Sequence, residues 1–399
     1  MLILFLIVFI DLIGFGIIIP LLPFYGEFYQ ASPEMVGLLM ATYSFTQFLA
    51  APFWGRLSDR IGRRPVLLVS LAGASAAYVW LGLAESLWTL FAARAVGGAM
   101  AGNISAAFAY VADITTRENR AKGMGMIGAA FGLGFIAGPA IGGILAGSDP
   151  VNADFRTPAF AAAALSVTAL IMAIATLKES LSAEIRQRLA QQPPKKRLAM
   201  FREALDRPVI GLLLLLTFLA TFVFAGLEST FAMWSRRQFG WGPQQNGYLF
   251  AFIGLLSALI QGGLIGRLAR RFGEARLVVQ GAVALAIGIA MIPFSTNVVV
   301  LVLAMSLAGY GFSVISPSLN SLISLQSSED EQGGIMGVTR SASTMARFIG
   351  PAWAGLLFGG LGRDWPYFAG ALIMVVVAFL GLRAIKMLEK SSGPNSSSP

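Results

Sequence analysis

The chain of 399 residues contains no cysteine and no histidine. Without cysteine there is no disulfide, no thiol nucleophile and no thiolate metal site. Without histidine there is no imidazole ligand and no side chain that ordinarily titrates near neutrality. Any proton chemistry therefore falls on carboxylates. Charge is scarce as well: 12% of residues are charged, against about 25% in a soluble domain. Two or three soluble domains cannot be coated with so few charges, which excludes an ordinary cytosolic enzyme. No Gly-rich phosphate loop of the Walker type occurs, so ATP drive within this chain is not expected. No cofactor and no metal are expected.

What is present is apolar. Hydrophobic residues make up 56% of the chain, and mean hydropathy is +0.73. A bilayer-spanning helix needs about 20 apolar residues. Twelve such stretches occur, at 2–25, 34–55, 65–84, 87–112, 122–146, 157–177, 207–233, 243–267, 274–294, 297–325, 331–359 and 364–388. They are too long, and alternate too little, for barrel strands. The first has no basic leader, and Pro20 and Pro23 follow where a small-residue cleavage site would stand, so it reads as a retained helix and not a signal peptide.

The net charge of +9 is a matter of topology. With the N-terminus inside, 22 of the 29 Lys and Arg fall in inner loops and 4 in outer loops. That bias places both termini in the cytoplasm. Nucleic acid is not needed to explain the charge.

The chain nearly repeats itself at an offset of 211–212. Gly55–Gly62 (GRLSDRIG) aligns with Gly266–Gly273 (GRLARRFG), and Gly138–Gly143 (GPAIGG) with Gly350–Gly355 (GPAWAG). The expected domains are a six-helix bundle at 1–177, a linker at 178–206, a second bundle at 207–390 and a disordered tail at 391–399. In the linker Leu181, Ile185, Leu189 and Met200 predict a short amphipathic helix. Two parallel halves related by an axis along the membrane normal describe a rocker-type transporter with substrate at the midplane.

Ionisable residues inside spans are costly and mark function. Asp11 lies mid-way along the first span, within Asp11-Leu12-Ile13-Gly14-Phe15-Gly16 ahead of Pro20 and Pro23. Arg94 lies in Leu90-x-x-x-Arg94-x-x-Gly97-Gly98 of the fourth, and Glu228 in Phe224-Ala225-Gly226-Leu227-Glu228 of the seventh. Arg340 and Arg347 lie in the eleventh. Polar or aromatic residues expected to line a substrate cavity are Tyr43, Gln47, Tyr78, Asn103, Phe224, Gln261, Asn320 and Arg347, with Phe45 and Phe231 nearby. Gly134, Gly138 and Gly142 are spaced to form a smooth groove for a neighbouring helix.

The loop Gly55–Arg64 (GRLSDRIGRR) resembles the signature of the major facilitator superfamily, and the likeness covers nearly the whole chain. It implies an all-α integral membrane fold of twelve transmembrane helices in two pseudo-symmetric six-helix bundles. It also implies a cytoplasmic latch made of Gly55, Asp59, Arg60, Gly62, Arg63, Arg64 and Asp113. In that latch Arg63 would pair with Asp113, and Asp59 would face the eleventh helix in the outward-open state. The Arg94 segment resembles a fourth-helix motif tied to proton coupling. Gly134-x-x-x-Gly138-Pro139-x-x-Gly142-Gly143 resembles the fifth-helix motif of exporters. The first span resembles that of drug/proton antiporters, tetracycline exporters among them. The chain departs from those exporters at Ser75-Ala76-Ala77-Tyr78, where they place an acid, and in lacking their eighth-helix histidine. Their set for a tetracycline–metal complex is thus incomplete.

The expectation is a proton-coupled exporter of amphipathic or lipophilic molecules, using Asp11, Glu228 and Arg94, monomeric and multi-pass in a bacterial inner membrane. Its partners would be substrate, protons and membrane lipids, with no nucleic acid. A lipid or lysolipid flippase of the same fold stands as the alternative.

Overall fold

The computed structural model describes residues 1–182, 184, 197–328 and 331–391. The side chains of Asn103, Arg117, Glu118, Arg120, Ala121, Lys122, 197–200 and 390–391 also lie outside the description. Asn103 as a cavity residue, Ile185, Leu189 and Met200 of the linker, and the tail beyond 391 therefore fall outside the described residues.

All regular structure among the described residues is helical. Among the described residues twelve long helices follow one another: α1 Leu2–Phe28, α2 Pro33–Ile61, α3 Arg63–Gly82, α4 Leu87–Ile114, α5 Arg117–Ala146, α6 Arg156–Thr176, α7 Pro208–Phe239, α8 Pro243–Phe272, α9 Glu274–Phe294, α10 Val298–Leu325, α11 Gln332–Gly360 and α12 Trp365–Ser391. A short helix, Arg197–Asp206, precedes α7. Eleven of the twelve are long and apolar enough to cross a membrane. The other is α11, whose 29 residues would rise about 44 Å as a helix but include Arg340, Arg347 and several Ser and Thr. Its length would suffice to cross a bilayer, and its polarity sets it apart from the other eleven.

Three boundaries differ from the sequence reading. The segment expected as a loop at Gly55–Arg64 is helical to Ile61 and again from Arg63, with Gly62 as the whole link. Gly62 has φ +107°, which only glycine adopts without strain. Its counterpart Gly273, φ +79°, is likewise the whole link between α8 and α9. The fourth span is not continuous: α4 breaks at Met100–Gly102. There the Trp54 indole of α2 donates to the Ala99 carbonyl at 2.5 Å, satisfying an acceptor at the broken end. In α8 the segment Ile260–Leu264 winds as a π-helix, a wider turn that often marks functional positions.

The chain forms two compact units. The first holds α1–α6 together with Glu228–Leu255 and Pro351–Arg363, the ends of α7, α8 and α11 remote from the basic loops. Glycine decides how these pieces pack. On α5, Gly134 faces Leu12, Gly138 faces Gly16 and Gly142 faces Ile17, so the i, i+4, i+8 stripe is the groove that seats α1. Gly143 faces the other way, onto α8. A Cβ at Gly143 would stand 3.1 Å from Gly247 Cα, and one at Gly247 3.0 Å from Gly143 Cα. The contact of α2 with α11 has the same form: a Cβ at Gly37 would stand 3.0 Å from Gly355 Cα, and the reverse distance is also 3.0 Å. In each crossing the glycine also abuts the carbonyl of a proline four residues before its partner: Pro351 for Gly37, Pro33 for Gly355, Pro139 for Gly247 and Pro243 for Gly143. Four copies of Pro-x-x-x-Gly thus build two equivalent helix crossings.

Polar contacts reinforce this end of the first unit. Glu27 of α1 takes Arg236 at 3.0 Å and Arg237 at 3.1 Å from α7. The Arg237 guanidinium also lies 4.8 Å over the Phe358 ring of α11. Arg363 donates to Gln238 at 2.7 Å.

The second unit holds the remainder of α7, α8 and α11 with α9, α10 and α12. Gly281 and Gly288 of α9 abut Gly311 and Ala308 of α10, and Ser313 donates to Ser257 at 2.7 Å. Arg207 grips Glu331 with both terminal nitrogens, at 2.8 and 2.7 Å. That bidentate bond holds the Glu331 carboxyl down to about 2, below its ordinary range. A lowered carboxyl means the pair is intact above that range and is lost only as pH falls toward about 2.

The crossings predict the effect of one added side chain. Gly247→Val would push a branched carbon into the Pro139 carbonyl and the α5 backbone, so the ends of α5 and α8 must part. The chain lacks cysteine, so a single cysteine at Gln244 is a clean reporter. Its thiol should react several-fold faster in the valine variant, and an unchanged rate would refute the close crossing.

Candidate functional site

At the basic end of the first unit, Arg63 is a buried hub, 7% exposed. Its Nη1 donates to Asp59 Oδ1 at 2.6 Å and Ser58 Oγ at 3.0 Å, and its Nε donates to Asp113 Oδ2 at 3.1 Å. Ser180 Oγ donates to the same Asp113 oxygen at 3.0 Å. The expected Arg63–Asp113 pair is present, and Asp59 is engaged by Arg63 in this state. Arg60 is exposed, and Arg64 Nη2 donates to the Ile174 carbonyl at 3.0 Å. Sequence reading missed Glu179. Its carboxylate accepts from the backbone N–H groups of Arg63 at 2.8 Å and Arg64 at 3.1 Å, capping the first turn of α3. It also occupies the space that a Cβ at Gly62 would need. Glycine at 62 thus serves both the turn and the cap. A lone acid 116 residues away carried no sequence signal for this.

Deeper in the unit, two apolar clusters meet at a thin polar layer. One contains Leu12, Leu71 and Ala169, the other Ile13, Tyr78 and Ala162. Between them in sequence stand Ser75 on α3 and Ser166 on α6, and on α1 Asp11 directly precedes Leu12. Asp11 is buried, 8% exposed, and its Oδ1 accepts from Ser166 Oγ at 3.0 Å. A hydrogen bond to a charged acceptor is among the stronger kinds in a dry interior. Arg94 of α4 is 5% exposed. Its guanidinium lies 4.5 Å over the Tyr43 ring of α2, a cation–π contact worth about 2 kcal/mol when desolvated. The Tyr43 ring packs in turn on Phe15 at 5.1 Å, and Phe15 on Phe135 at 6.0 Å. Both Tyr43 and Tyr78 feel the charges of Asp11 and Arg94.

Five helices therefore bring Asp11, Tyr43, Tyr78, Arg94 and Ser166 together. Gln47, one turn beyond Tyr43, is half-buried. The other expected residues lie on other helices. Glu228 is half-buried on α7. Phe224 stacks face to face on Phe312 at 4.0 Å. Gln261 is exposed in the π turn of α8, Asn320 is exposed on α10, and Arg347 is half-buried on α11. Phe231, expected near a pocket, is instead fully buried against Trp234 and Phe250, because its face of α7 is core. Ser166 was not anticipated. Serine is common in membrane helices as packing, and its partner lies 155 residues away.

Comparison with known proteins gives this geometry a context. The Major Facilitator Superfamily profile matches residues 4–351 and 262–399. Multidrug resistance protein 2 of Bacillus subtilis (strain 168) is 30% identical over 374 residues, covering 92% of this chain and 91% of that protein. Tetracycline resistance protein, class C, of Escherichia coli is 31% identical over 393 residues, covering 98% and 96%. The crystal structure of the human organic anion transporter MFSD10 (TETRAN) superposes with TM-score 0.71 at 28% identity, covering 95% of this chain and 98% of that one.

The hub makes a stability prediction. Arg63→Ala leaves Asp113 facing a half-buried pocket without its cation, at a cost of roughly 3 kcal/mol. Arg60→Ala, at an exposed position, should stay within about 0.5 kcal/mol of wild type. Thermal unfolding in detergent reads both, and equal midpoints would remove Arg63 as the hub.

Proposed function

The chain belongs to the Major Facilitator Superfamily, and from that premise we propose that it is a proton-coupled exporter of amphipathic or lipophilic small molecules. It is a multi-pass membrane transporter and not an enzyme. Its relatives include multidrug and tetracycline resistance proteins, and drug-like small molecules are the substrate class this supports.

The observation that carries proton coupling is the buried Asp11, held by Ser166 and set among Tyr43, Tyr78 and Arg94. A carboxylate in this surrounding is kept because it does something, since an apolar residue would cost less. With no histidine in the chain, Asp11 and Glu228 are the membrane carboxylates available to carry protons. Asp11 would load a proton from outside and release it inside as substrate is taken up. Arg94, fixed over Tyr43, would supply a positive charge to the two tyrosines on which Asp11 also acts.

Alternating access needs two ends that close in turn. The Gly37–Gly355 and Gly143–Gly247 crossings would be the outer seal, and the Arg63 hub the inner latch. The reading places the basic loops and both termini in the cytoplasm, the protein in a bacterial inner membrane as a monomer, and the six-plus-six halves as the rocking bodies. Gln47, Phe224, Gln261, Asn320 and Arg347 would contact substrate.

The test is reconstitution into proteoliposomes with a pH-sensitive dye inside. Adding a lipophilic cation, a tetracycline or an organic anion under a pH gradient should drive proton flux. Asp11→Asn and Glu228→Gln should each reduce that flux at least tenfold. Substrate addition that moves no protons would end the antiport reading. Transport of lysolipid in preference to all three would establish the flippase alternative.

A further inference from the structure

We propose that Ser166 is the positioning residue that allows Asp11 to gain and lose its proton inside a packed core. The proposal rests on the proton-coupled reading above.

Ser166 is fully buried on α6. Its Oγ stands 3.0 Å from Asp11 Oδ1 on α1 and 3.3 Å from the Leu71 carbonyl on α3. A hydroxyl has one proton to give and two lone pairs to accept with. Here it has two acceptors within reach, and only one of them changes charge. With Asp11 ionised, the hydroxyl donates to Oδ1. The Leu71 carbonyl is meanwhile served by the Ser75 hydroxyl at 2.8 Å. When a proton arrives on Oδ1, the new O–H bond points at the Ser166 oxygen, which accepts it. Ser166 then turns its own proton to the Leu71 carbonyl. The carboxylate becomes a neutral acid, Ser166 keeps its proton, and no heavy atom has to move. Both protonation states leave this pair of groups hydrogen-bonded, and a buried polar group without a partner is the costly alternative.

The same rotation links three helices. The hydroxyl of α6 is tied to α1 when Asp11 is charged and to α3 when it is neutral. Tyr43 from α2 and Tyr78 from α3 feel the charge of Asp11, and Arg94 from α4 acts on the same two side chains. The α5 surface against α1 is Gly134, Gly138 and Gly142 and contributes no titratable group. Arg94 can only donate, whereas the Tyr43 and Tyr78 hydroxyls, like that of Ser166, can both donate and accept; Ser166 is the one that also reaches a backbone carbonyl of α3.

Infrared difference spectroscopy of the intact protein tests this directly. The carboxylic C=O band that is absent in Asp11→Asn is the band of Asp11. In Ser166→Ala the ionised form loses a donor, so the midpoint of that band should move about one pH unit toward alkaline. The pH profile of substrate-driven proton flux should move by the same amount, while substrate affinity stays within about twofold. Alanine is a good helix former, so α6 is preserved. An unmoved band midpoint, in a protein whose flux is abolished by Asp11→Asn, overturns the role of Ser166 and leaves antiport standing. A band that moves in a protein with no proton flux overturns the antiport reading, and the part assigned to Ser166 falls with it.

Discussion

The close approach of helix backbones at glycine is the constraint on which the first unit depends. Apolar side chains give little drive for helices to associate in lipid, so packing and weak polar contacts must hold them. Each Pro-x-x-x-Gly copy brings a glycine Cα against a partner Cα and against a proline carbonyl one turn earlier. Such Cα–H···O contacts contribute modestly, on the order of 0.5–1 kcal/mol each. Their value lies in reversibility. A crossing held by a few weak contacts, with no interlocked side chains, can separate and reform at small cost. Glu27 with Arg236 and Arg237 adds a polar clasp at the same end.

Against these reversible contacts stand two fixed ones. The α1–α5 groove is a continuous glycine stripe on α5, Gly134, Gly138 and Gly142, against Leu12, Gly16 and Ile17, so α1 is seated closely. The basic end is fixed by Arg63, which serves carboxylates of α2 and α4 at once, and by Glu179, which caps α3. Between the fixed parts lies the polar layer of Asp11 and Ser166 beside Tyr43 and Arg94. A proton or cation reaching that layer therefore acts on helices α1, α2, α3, α4 and α6 together.

Much of this was legible in the sequence. Hydropathy located the spans, since burial in lipid is read residue by residue. The offset repeat located Pro139–Gly143 and Pro351–Gly355 as equivalent. A nearly equal offset, 210, relates Pro33–Gly37 to Pro243–Gly247, a signal present in the chain but weak, because proline at a helix start has an ordinary explanation. Asp11 and Arg94 stood out because isolated charge in a span is expensive. Their neighbours did not. Nothing local distinguishes Ser166 from the other serines, or Glu179 from other linker acids.

By itself the sequence determined the fold class, the number of long helices and the residues whose charge requires a reason. These follow from local quantities: apolar length, glycine and proline placement, and the cost of a buried charge. Only the tertiary structure decided which face of α5 meets α1 and which meets α8. It also decided that Arg94 rests on Tyr43, that Arg63 joins Asp59 and Asp113, and that Ser166 sits between a carboxylate and a carbonyl. Those pairings join residues up to 155 positions apart. They depend on the rotation of each helix about its axis, which packing of whole faces sets and no single segment encodes.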